Sequence, residues 1–142
     1  MTYTATKWNT AEDKAKFVKK FIKFVEKDFP QTMFDKKFYA RLSMMFGHIA
    51  HYDVNGFWKT FFTNATDKIR FLEQTLNYPC YGDPTYTWSD AEKEIQGLLE
   101  EMEVLEKWQR IEAEENDSKE RAEYQRLKKK FELPLTSSKI LA

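Results

Sequence analysis

At 142 residues and zero net charge, with 23 basic and 23 acidic side chains, the chain is sized for one domain able to bury roughly two-thirds of its unfolded surface. A single cysteine, Cys80, excludes an internal disulfide and a Cys-based zinc cluster. Only four Gly and four Pro, with few Val and Ile, exclude the turn-rich, β-branched pattern of an all-β fold.

The composition therefore predicts an all-α single domain, a small helical bundle with a long C-terminal helix or helical hairpin. Twelve Phe, seven Tyr and four Trp predict a core of rings rather than of branched aliphatics. Charge is laid out in blocks: residues 90–117 hold eleven acids against three bases, and residues 118–132 hold six bases against three acids. No signal-peptide pattern opens the chain, and no apolar run approaches the 18 or more residues of a membrane span, so a cytoplasmic protein without membrane contact is expected.

In chain order, residues 1–9 read as an N-terminal arm with Trp8 as its anchor. Thr10 then precedes two acids and a ladder of Phe17, Val18, Phe21, Ile22, Phe24, Val25 and Phe29, an N-capped amphipathic helix ending at Pro30. Its lysines Lys14, Lys16, Lys19, Lys20, Lys23 and Lys27 form either a solvated face or a phosphate-binding one. A second helix is predicted from Asp35 through Phe38, Leu42, Met45, Phe46 and Ile49, stopping before the turn signal Asn55-Gly56. Residues 42–62, apolar on every helical face, form the centre around which the chain packs, and Gly47 there permits a close approach.

Phe57, Trp58, Phe61 and Phe62 then make a short apolar helix or turn, and Asn64 or Thr66 caps a fourth helix with Ile69, Leu72 and Leu76 facing inward. Residues 79–88, PCYGDPTYTW, have no periodicity and read as a structured loop that closes residues 10–88, the core helices and loop. Ser89 with Glu92 three residues on is a capping-box signature for the next helix. Residues 89–132 form one long charged helix or a hairpin, with Asn116, Asp117 and Ser118 the first marked stop. Unbroken from Asp90 to Glu132 it would be about 65 Å long, which favours a break. Residues 133–142 are a tail expected to fray from Leu133.

Candidate chemistry is sparse. His48, His51 and Asp53 are the one metal-like cluster, a possible basis for a metal-dependent enzyme, yet no third strong ligand stands at a defined spacing. There is no Gly-rich phosphate loop, nucleophile elbow or histidine next to Cys80 in sequence. No catalytic residue, metal or cofactor is therefore assigned.

The charged helix has apolar residues on two sides: Ile95, Leu98, Leu99 and Met102 on one, Val104, Trp108 and Ile111 on the other. The second stripe must be covered by the chain's own C-terminal helix, by a second copy or by another protein. Val104, Trp108, Ile111, Glu101, Glu112 and Glu115 are the predicted partner-binding residues, with Trp108 as hot spot. An alternative nucleic-acid surface would use Lys16, Lys20 and Lys23 together with Arg126, Lys129 and Lys130.

The run FGHIAHYDVNGFW followed by PCYGDPTYTWSDAE, within positions 42–92, resembles small uncharacterised proteins of bacterial phages and mobile elements. The resemblance implies no activity and no catalytic residue. It implies a setting, in which such small helical proteins bind and block a host factor. The expected function is thus a non-enzymatic protein-interaction module that meets a protein partner or a second copy of itself, with nucleic-acid binding and a metal-dependent enzyme at His48, His51 and Asp53 as alternatives.

Overall fold

A computed structural model describes residues 2–49 and 52–141, with side chains through residue 131. The regular secondary structure among the described residues is all helix, with no strand. Six α-helices follow in order: α1 Ala11–Glu26, α2 Lys36–Met45, α3 Val54–Phe61, α4 Ala65–Leu76, α5 Ser89–Glu101 and α6 Val104–Leu141. Short 3-10 turns occupy Gln31–Met33 and Gly47–Ile49. The principal packing is α1 on α5 and α4 on the first turns of α6, with α3 beside α4.

Local chemistry sets most of these boundaries. Thr10 caps α1 with a reciprocal capping box: its hydroxyl accepts from the Asp13 N–H at 3.0 Å and the Asp13 carboxylate accepts from the Thr10 N–H at 2.9 Å. Asp35 caps α2 and Asn64 caps α4, the latter accepting from the Asp67 N–H at 2.8 Å. After α1 the chain reverses through Asp28 and Phe29, two consecutive left-handed residues, and the Phe29 ring drops into the core.

That core is built of rings. Eleven of the twelve phenylalanines are buried, and Phe24, Phe29, Phe34, Phe38, Phe57, Phe62 and Phe71 form a continuous network with centroids 4.8–6.1 Å apart. The contacts include both stacked and edge-on pairs, the two arrangements that ring quadrupoles favour. Leu42, Phe46, Ile49 and Phe57 of the central stretch are fully buried, whereas Met44 and Tyr52 within it are exposed, and the helix expected to run through Ile49 ends at Met45.

Several boundaries differ from the expectation. Asn55 and Gly56 lie inside α3 rather than in a turn, because the Asp53 carboxylate accepts from the Gly56 N–H and starts a helix there. The close approach at Gly47 comes from the Tyr78 hydroxyl, 2.8 Å from where a Cβ would stand. Trp8 is 74% exposed and anchors nothing. The arm is held instead by the Thr4 N–H on Asp90 at 2.9 Å and by Asn9, whose side-chain oxygen accepts from the Trp88 indole at 3.2 Å.

The long charged helix is broken, but not at Asn116. The break falls at Met102 and Glu103, where Glu103 takes a left-handed φ of 54°. From Val104, α6 passes without interruption through Asn116, Asp117 and Ser118, and it continues to Leu141 past the point where fraying was expected. No helix among the described residues is long and apolar enough to cross a membrane.

Candidate binding surfaces

The predicted partner-binding stripe is largely inside the chain. Val104 and Trp108 are 4% and 6% exposed, covered by α4 and by Phe29 rather than by a C-terminal hairpin or a second copy. The physical reason is the Glu103 break: it resets the helical phase, so that the stripe of α5 and the stripe of α6 can both face one core. The Lys68 ammonium lies 4.0 Å above the Trp108 ring, a cation–π contact, and burial holds its pKa below the usual lysine range. Ile111 and Glu112 are half-buried, the latter accepting the Thr66 hydroxyl, while Glu101 and Glu115 are exposed. Trp108 is thus a core residue and cannot serve as a hot spot in this fold.

What α6 does offer lies further along. Every side chain from position 113 to position 131 is exposed, a rod of about 28 Å at 1.5 Å per residue. On it Tyr124, Leu127 and Phe131 are large apolar groups in water. At 100° per residue they fall within about 60° of one another, on the side opposite Val104, Trp108 and Ile111. Arg121 pairs with Asp117 at 3.0 Å and Arg126 with Glu123, so the predicted nucleic-acid residue Arg126 already has an anionic neighbour on its own helix. Lys129 and Lys130 are exposed beside it.

The lysines of α1 do not form one face. Lys14 is fully buried, and its ammonium donates to the Pro84 and Thr87 carbonyls and to the Asp90 carboxylate, each at 2.9 Å. Lys16 and Lys20 line a groove between α1 and α2 with Lys37 and Arg41, whereas Lys23 lines a separate hollow near Glu26 and Glu94. The groove is floored by Phe17, Phe38 and Trp88, and the Arg41 guanidinium stacks 4.3 Å from the Trp88 ring.

Across Arg41 and Trp88 lies a second cavity of about 310 Å³, between α2, residues 78–88 and α5, which sequence reasoning missed. Its unusual member is Glu92. The expected capping box does not form: Ser89 is the first residue of α5 and its hydroxyl donates to the Gly82 carbonyl at 2.9 Å. The loop is drawn in by the Lys14 bonds, and Ser89 is taken up by it. Glu92, released from capping, turns inward and is 7% exposed. Burial pushes its pKa up to about 7, assisted by nearby Asp90 and opposed by the Cys80 thiol. No cation among the described residues lies within ion-pair distance of it. Cys80 itself is pushed up to about 11 by burial and by Glu92, which makes it a poor nucleophile.

His48 sits among Phe46, Phe71 and Tyr78 at 5.4–6.4 Å, with both buried ring nitrogens lacking a hydrogen-bond partner among the described residues. Burial lowers its pKa, so the ring is a neutral core imidazole. Asp53 is engaged as the α3 cap. His51 lies outside the described residues. Among the described residues no three His, Cys, Asp or Glu side chains are grouped to hold a metal ion.

Comparison of the chain with protein-family models, with curated proteins and with solved structures finds no match in any of the three.

Proposed function

We propose that this protein is a non-enzymatic interaction module whose protein partner docks on the free part of α6. The observation that carries this reading is the exposed part of α6, positions 113–131, bearing Tyr124, Leu127 and Phe131 on one face. Exposed rings on a helix face are the usual anchors of helix-in-groove recognition. Residues 118–131 carry six bases against two acids, so the partner is an apolar groove with acidic edges. A second copy of this chain aligned in parallel on the stripe fits poorly: at 100° per residue Lys128 and Lys130 flank the stripe and would meet their counterparts, and juxtaposed like charges are costly. Binding and blocking of a host factor is the setting in which such a module would act.

The test compares the parent with a Tyr124→Ser, Leu127→Ser, Phe131→Ser variant. Because all three residues are exposed, thermal unfolding should be unchanged. A partner protein captured from the native host, purified and titrated, should bind the parent and lose binding to the variant. Concentration-dependent dimerisation that the variant abolishes would overturn the reading in favour of self-association.

A second reading is favoured by a separate observation: Lys16, Lys20, Lys37 and Arg41 gather on one groove beside Phe38 and Trp88. Nucleic acid binding there would combine phosphate contacts with ring stacking. It would show as oligonucleotide affinity that falls steeply with salt and is lost in a Lys16→Gln, Lys20→Gln variant.

A further inference from the structure

The cavity beside Arg41 and Glu92 is independent of the projecting helix and has the makings of a small-molecule site. Glu92 is a carboxyl nine-tenths buried at its wall, with no ion-pair partner among the described residues. A buried carboxylate without a cation is costly, so a bound cationic group would stabilise its charged form. Arg41 lines the same cavity from α2, its guanidinium held in place by Trp88. Met44, Met45 and Tyr81 supply apolar wall, and Met44 and Tyr81 are each 75% exposed at the mouth. A volume of about 310 Å³ lies at the small end of ligand pockets, which span roughly 300–1,000 Å³.

One acidic group, one basic group and an apolar wall in a cavity of this size define the complement of a ligand with an ammonium, a carboxylate and an apolar body. We infer that this cavity binds a free amino acid with an apolar side chain, its ammonium on Glu92, its carboxylate on Arg41 and its side chain against Met44 and Met45. A simple amine fits less well, because Arg41 would repel it. A simple carboxylate fits less well, because Glu92 would.

The experiment titrates the full chain by calorimetry at pH 8 with L-phenylalanine, L-leucine, 2-phenylethylamine and 3-phenylpropionate. The amino acids should bind more tightly than either half-ligand. Glu92→Gln keeps the shape and removes the charge, so it should weaken L-phenylalanine at least tenfold and leave 3-phenylpropionate no weaker than before. Arg41→Gln should weaken L-phenylalanine and 3-phenylpropionate together. Absence of binding by both amino acids, amino-acid binding unmoved by Glu92→Gln, or 2-phenylethylamine binding as tightly as L-phenylalanine would overturn the inference. None of these outcomes bears on α6, so the two proposals fail separately.

Discussion

The Lys14 ammonium meets the Asp90 carboxylate at 2.9 Å with no part of the lysine side chain exposed, joining the first turn of α1 to the first turn of α5. All three ammonium protons are used, the other two on the Pro84 and Thr87 carbonyls. Lys14→Met should therefore cost about 3 to 5 kcal/mol, because it leaves Asp90 without its cation and two carbonyls without a donor where water cannot fully reach them. Burial pushes the Asp90 pKa up, but bonds from the Thr4 N–H, Lys14 and the Ala91 N–H outweigh it and hold the group below the usual carboxylate range. Its contribution is present above the unfolded pKa and is lost as pH falls through the folded one. Urea unfolding of parent and variant checks the magnitude.

Glu92 gives the opposite pH dependence. Its folded pKa of about 7 exceeds the unfolded value, so the native state binds more protons in between and stability falls as pH rises from about 4.5 to 7. Glu92→Gln should remove that slope and stabilise the protein at pH 8 by on the order of 2 to 3 kcal/mol. His48, whose pKa is lowered by burial, destabilises in the other direction, as pH falls below about 6.5. Thermal melts of parent and Glu92→Gln from pH 4 to 8 separate the two. A variant less stable than the parent at pH 8 would contradict the buried, unpaired carboxyl.

Trp108→Ala removes a ring packed on Phe29 and beneath Lys68. The expected cost is about 3 to 5 kcal/mol, with the sedimentation coefficient of the folded variant unchanged. Lost assembly at unchanged melting temperature would return Trp108 to an interface.

Glu103 holds a left-handed backbone that a residue with a Cβ adopts at a cost of roughly 1 kcal/mol. Glu103→Gly should stabilise the protein modestly, and Glu103→Val should destabilise it. Equilibrium unfolding of both variants reads the difference. Equal stabilities would mean that the reversal between α5 and α6 is not confined to this residue.

The capped starts of α1 and α4 were legible because Thr10 and Asn64 act on residues three positions away. The rings of the core were legible from their number and spacing. Glu103 was not, since nothing marks a glutamate for a left-handed turn, and the stop was sought at Asn116, where helix continues. Nor was Lys14 distinguishable from Lys16, because its partners lie 70 or more positions away. Ser89 and Glu92 fitted a local motif that the long-range bonds of the loop override. The exposure of Tyr124, Leu127 and Phe131 likewise follows from the break at Glu103, which no local signal marks.

That break also acts as a pivot. From Glu103 to Phe131 the helix forms a lever of about 42 Å, so a change of about 10° at its base would move the far rings by roughly 7 Å. Where α4 packs on Trp108 and Asp28, in the turn after α1, pairs with Lys107 at 2.7 Å, the lever is clamped close to its fulcrum. Small adjustments in that clamp therefore steer the distant end of α6, and the aim of Tyr124, Leu127 and Phe131 is set by residues they never touch.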